Sequence, residues 1–71
     1  MSTTQFRARF WTRSEIKETL KECVHVGFEV TKDNNIWSAT DPSNGETVLR
    51  ALIIDGQKAH PCRVNPNYFN L

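Results

Sequence analysis

No apolar run in the chain approaches the roughly 20 residues that a membrane-spanning helix needs, and the N-terminus lacks the apolar stretch of a signal peptide. Both absences lead to the expectation of an intracellular, cytoplasmic protein with no membrane partner. Internal repeats, low-complexity tracts and linkers are absent too, so the 71 residues read as a single small domain over 1–71. Net charge is nearly absent as well: at +1 it names no partner. There is no glycine loop of the kind that cradles phosphate and no Ser-His-Asp or Cys-His-Asn set supported by motif. Asp41 and Asp55 read as turn residues, and the one conceivable nucleophile and base, Cys62 and His60, are separated by Pro61. With 38% apolar residues and a mean hydropathy of -0.54, the chain is globular but its core is small, leaving little room for a pocket. An enzyme is therefore not expected, nor a cofactor. Domains of this size are marginal, so a partner or a homodimer is a natural source of added stability.

What is present is organised around Thr12 to Val30, which predicts an amphipathic helix running through a glycine stop into a strand. Ile16, Leu20, Cys23 and Val24 form one stripe on a 3.6-residue period and are expected in the core, while Lys17, Glu18, Lys21 and Glu22 face water. Thr12 and Glu15 have the spacing of a capping box. Gly27 suits a left-handed helix stop, and His25 meets the negative end of the helix. Phe28-Glu29-Val30 then changes the period from 3.6 to 2.

Before the helix, Met1 to Gln5 is expected to be a loose lead-in. Phe6 to Trp11 alternates as a first strand, with Phe6, Ala8 and Phe10 on one side and Arg7, Arg9 and Trp11 on the other. After the helix, Lys32-Asp33-Asn34-Asn35 is a turn joining antiparallel strands. Ile36 to Thr40 forms the next strand, its phase open between Ile36 inward and Trp37 inward. Asp41-Pro42-Ser43-Asn44-Gly45 is the strongest turn signal. Glu46 to Ile54, nearly continuously apolar around Arg50, suggests a central strand. Pro61 and Pro66 exclude a regular helix from the tail, which is expected to be ordered but irregular, with one short strand near Cys62 to Val64 and with Val64, Tyr68, Phe69 and Leu71 folded back on the core. The predicted class is α+β: one helix packed on a small, mainly antiparallel sheet, in the order β-α-β-β-β with an irregular C-terminal tail.

The segment Ile16 to Leu52 resembles the HicA-like small double-stranded-RNA-binding-like fold of toxin and mobile-element proteins. The resemblance lies in the helix ending at glycine, the Gly27-Phe28-Glu29-Val30 strand, the hairpin, and Asp41-Pro42 with Asn44-Gly45 before Thr47-Val48. For the family's toxins it implies RNA cleavage by a histidine in the strand after the first hairpin. Here that strand reads Asn34-Asn35-Ile36-Trp37-Ser38, and no histidine occurs between His25 and His60. The resemblance therefore implies the scaffold, reused for binding.

Three sets of residues are candidates for a site. Arg7, Arg9, Trp11 and Arg13, with Phe6 and Phe10, interleave arginine with aromatics before the first acidic residue, Glu15, a combination that neutralises phosphates and stacks bases. The plainer reading is a soluble edge strand. Lys32, Arg50, Lys58 and Arg63 would extend the cluster only if folding gathers them. Trp37 and Tyr68 are candidate anchors for a protein partner. Cys23-Val24-His25 and His60-Pro61-Cys62 supply the ligand types of a Cys2His2 zinc site, but without the usual two- to four-residue ligand spacing; residues two apart on a helix also point apart. Cys23 then reads as a core thiol, and a Cys23–Cys62 disulfide is disfavoured without a secretory signal. The expected function is a binding module with a protein partner, an accessory or inhibitory protein of a mobile element such as a phage. The alternative is nucleic-acid binding through the N-terminal strand.

Overall fold

The computed structural model of the chain describes residues 5–69. Residues 1–4 of the lead-in and Leu71 of the tail lie outside the described residues. The elements are β1 (Arg7–Trp11), α1 (Arg13–His25), β2 (Glu29–Asp33), β3 (Ile36–Thr40), β4 (Thr47–Leu52) and β5 (His60–Val64). They form one antiparallel sheet in the order β1-β5-β4-β3-β2, with α1 packed on one face.

The capping box of α1 is realised in both directions. Glu15 N donates to Thr12 Oγ1 at 3.2 Å, and Thr12 N donates to Glu15 Oε1 at 3.1 Å. Thr12→Ala is expected to cost about 1 kcal/mol, read as a lower urea midpoint with an unchanged slope. At the other end Gly27 adopts φ +98°. Its N–H donates to Val24 O at 3.1 Å, and Phe28 N donates to Cys23 O at 2.9 Å. This is the Schellman pairing that satisfies the last helical carbonyls.

Because β1 and β2 are the two edges of the sheet, α1 has to cross it from one side to the other. Four interstrand spacings make about 19 Å, and the 13 residues of α1 rise about 20 Å, so helix length matches sheet width. Ile16, Leu20 and Cys23 point at the sheet and are buried. Val24 corrects the predicted stripe: it is 59% exposed. On a 100° step it lies well round from the line of the other three, and at the last turn α1 has reached the edge strand, so no further strand lies under it.

Beneath the helix sit Ala39, Leu49, Ala51, Cys62 and Val64, all buried. β4 is the third of five strands, in keeping with its apolar run. A register shift opposite Ala39/Thr40 lets Val48 and Leu49 both be buried. The phase of β3 resolves with Trp37 on the helix side: it precedes buried Ala39 by two, is partly buried, and packs on the core.

The tail departs most from expectation. Its strand covers all of His60–Val64 and lies between β1 and β4, inside the sheet. His60, Cys62 and Val64 are all buried, a period-2 pattern that Pro61 obscures in the sequence. The proline is accommodated because the β4 ladder begins at Cys62; at Pro61 the strand is paired only with Phe10 of β1. Asn65 then turns the chain, donating from its backbone to Val48 O and from Nδ2 to Thr47 O, both at 2.9 Å.

Candidate functional site

The face of the sheet opposite α1 has no layer over it among the described residues. Its side chains follow from the register. Phe10 pairs with Pro61, Ile36 with Leu52 and Asp33 with Ile36. Continuing the β4–β5 register one step past Ala51 and Cys62 sets Leu52 beside Pro61, giving an apolar row Phe10–Pro61–Leu52–Ile36 that ends at Asp33. Two residues along each strand lies a second row, Ala8–Arg63–Arg50–Ser38–Thr31, fixed by the pairs Ala8–Arg63, Arg50–Arg63, Ser38–Arg50 and Thr31–Ser38. Phe10, Pro61, Leu52 and Ile36 of the first row and Ala8, Arg63 and Arg50 of the second line an open depression of about 350 Å³. Phe10 is 71% exposed and Leu52 42%.

Arg50 and Arg63 stand directly opposite one another across β4 and β5. Like charges in that position are destabilising. Among the described residues neither has an ion-pair partner; the ion pair present joins Arg13 to Asp55 at 3.5 Å, with both side chains half or more exposed. The acidic side chains of this face, Glu29 and Asp33, lie on the far edge strand β2.

The residues singled out in the sequence are distributed differently. Arg7, Arg9 and Trp11 pair with Val64, Cys62 and His60 and so stand in the helix-side phase of β1, although Arg9, at the sheet edge, also borders the depression that Arg50 and Arg63 line. Arg9 folds over its own edge to donate from Nη1 to Ala8 O at 2.9 Å. The ring of Trp11 packs on Phe69, 6.2 Å between centroids. Lys32 places its ammonium 5.8 Å from the ring centre of Trp37, a cation–π contact on the helix side, while the indole Nε1 of Trp37 finds no hydrogen-bond partner among the described residues. Arg50 and Arg63 are the members of the proposed basic extension that folding brings together. Phe10, Leu52, Ile36 and Pro61 were not grouped by sequence reasoning. The available signal was the shared phase of Pro61 and Arg63, opposite to His60, Cys62 and Val64.

The four cysteine and histidine residues do not assemble a metal site: among the described residues, no three or more His, Cys, Asp or Glu side chains converge as an ion would require. Cys23 and Cys62 are free and buried. Burial pushes both thiols above their ordinary value, which disfavours the thiolate. His60 uses Nδ1 to accept from Ile54 N at 3.0 Å, and Cys62 Sγ donates to His60 O at 3.3 Å.

Tyr68 is held within its own chain. Its ring meets Phe28 edge-on at 5.4 Å. Its hydroxyl donates to Asp41 Oδ2 at 2.8 Å, lies 3.2 Å from Glu46 Oε2, and accepts from Asn44 Nδ2 at 3.0 Å. The Asn44 amide pulls the phenol pKa down, but the Asp41 hydrogen bond, partial burial, the Asp41 charge and Glu46 outweigh it and leave it raised. Asp41 is shifted down by the Ser43 hydroxyl, the Ser43 backbone N–H and Tyr68. The two groups act in opposite pH ranges. Asp41 contributes stability above its ordinary carboxyl range that is lost as pH falls through the lowered value. Tyr68 contributes stability below about pH 10 that is lost as pH rises through the raised value. The Phe28 ring resonances are therefore expected to lose the ring-current shift they take from the ring at position 68 in an alkaline step that Tyr68→Phe abolishes.

No protein-family model, curated protein or solved structure matches the chain. Among the described residues, no helix is long and apolar enough to cross a membrane.

Proposed function

We propose that the chain is a non-enzymatic protein-binding module that docks its partner on the uncovered face of the sheet, acting as a cytoplasmic accessory or inhibitory protein of a mobile element such as a phage. The observation that carries the docking is the apolar row Phe10–Pro61–Leu52–Ile36, left open on a domain whose other face is filled by α1. Contiguous exposed apolar surface rimmed by polar groups marks an interaction site. The mobile-element context is supported by the HicA-like resemblance of Ile16 to Leu52, in which the missing histidine leaves binding as the use of the scaffold.

Protein is favoured over nucleic acid by the chemistry of the row. Pro61, Leu52 and Ile36 receive apolar side chains, whereas stacking of bases needs aromatic faces. Trp11, Phe28, Trp37, Tyr68 and Phe69 all pack on the core instead. Arg13, from the basic set of the alternative reading, is paired with Asp55.

Photo-crosslinking in extract of the source cell tests this. A benzophenone side chain in place of Ser38, on the open face, is expected to give protein adducts that Phe10→Ser with Leu52→Ser removes. The same group in place of Lys17, on the exposed side of α1, is expected to give none. Absence of protein adducts from position 38, or equal yield from position 17, would sink the reading.

A further inference from the structure

Resting on the docking reading above, we infer that the partner presents an acidic amphipathic segment, whose apolar side chains lie on the Phe10–Leu52 row and whose carboxylates lie between Arg50 and Arg63. The argument starts from a cost in the free protein. Two guanidinium groups occupy directly opposed positions on neighbouring strands, an arrangement that repels, with no acidic side chain paired to either among the described residues. A carboxylate seated between them converts the repulsion into charge-assisted, forked hydrogen bonds, for which arginine is the better cation.

The spacing defines the ligand further. The apolar and basic rows are two residues apart along the strands, about 7 Å, so a segment crossing the strands meets apolar contacts on one flank and cations on the other. That is the pattern of an amphipathic segment with one acidic border. The row runs across β1, β5, β4 and β3, the same traverse that α1 makes on the opposite face.

Other occupants fit less well. A second copy of this face, related by a two-fold axis along β4, sets Arg50 against its own copy. A polynucleotide would neutralise the arginines but would find three aliphatic or proline neighbours and one edge aromatic in the row.

The test uses labelled synthetic peptides titrated against the full chain by fluorescence anisotropy at low and moderate salt. One is a Leu/Glu amphipathic peptide, about 13 residues long so as to cross the sheet if helical; the other replaces Glu with Gln. The Leu/Glu peptide is expected to bind about tenfold more tightly, with the advantage shrinking in salt. Arg50→Gln with Arg63→Gln is expected to abolish the advantage, and Phe10→Ser with Leu52→Ser to weaken both peptides. Arg63→Glu supplies a readout in the free protein: it is expected to raise Tm, by replacing a like-charge pair with an opposite one, while removing the preference for Glu.

Equal binding of the two peptides overturns the inference. So does preferential binding of a mixed-sequence single-stranded RNA, or self-association at the open face that blocks peptide. If position 38 yields protein adducts while the peptides bind equally, the acidic chemistry fails and the docking reading stands. If position 38 yields none, the docking reading itself fails.

Discussion

Leu49→Ala is expected to cost about 2–5 kcal/mol. Leu49 is fully buried in β4, the third of five strands, and its ladder neighbours Ala39 and Val64 are fully buried too. Both neighbours are held by backbone pairing and one is already the smallest side chain with a Cβ, so the space left behind cannot close by local collapse. A domain of 71 residues has a total stability on the order of 4–11 kcal/mol. The substitution therefore removes between about a fifth of it and all of it. The urea midpoint should fall sharply while the slope stays constant, since the surface exposed on unfolding hardly changes. A midpoint within error of the native chain would mean that Leu49 does not carry this core.

Asn65→Ala is expected to cost about 1–2 kcal/mol although it removes no apolar surface, because a buried group left unsatisfied costs about 1–3 kcal/mol and the two hydrogen bonds lost are partly buried. Asn65 is 1% exposed. Its Nδ2 donates to Thr47 O and its Oδ1 accepts from Asn67 N, each at 2.9 Å. Truncation leaves a strand-end carbonyl and a turn N–H without partners. The same residue's carbonyl accepts from Tyr68 N and Phe69 N, so the turn that aims both rings at the core loosens. Faster hydrogen exchange at the Tyr68 and Phe69 amides, together with a lower urea midpoint, is the expected signature. Asn67→Ala, which leaves that N–H in place, should change either one little.

The parts of the fold legible in the sequence were those whose signals are local. Thr12 and Glu15 are three residues apart and Gly27 is followed at once by Phe28-Glu29-Val30, so both helix ends could be read from a few neighbouring positions. The Asp41 to Gly45 turn is local in the same sense: Gly45 N donates to Asp41 O at 2.8 Å within the loop itself. β5 was not legible in full, because Pro61 argues against a ladder position unless it is known that β4 begins pairing only at Cys62. Val24 misled because helical periodicity fixes an angle round the axis and says nothing of where the sheet ends. The candidate face was beyond sequence reasoning for a related reason. Arg50 and Arg63 are adjacent only through the β4–β5 register, and Phe10 and Ile36 share a row only through three strand pairings. The alternation that sets Phe10 opposite Trp11 was read, but not that the Phe10 side faces water, and its neighbours in the row were not.

The place of β5 in the sheet also governs how the chain can fold. α1 and the β2–β3–β4 hairpins join segments close in sequence and can form early, whereas β1 has no strand to pair with until His60–Val64 arrives. Arg7 pairs with Val64, a loop closure that has to meet its entropy cost before any contact offsets it. Until then the apolar β4 presents an open edge, the kind of surface through which incomplete sheets aggregate. A chain emerging from the ribosome can thus build its helix and meander in order, but it completes its core last, when β5 pairs with β4 on one side and gives β1 its partner on the other.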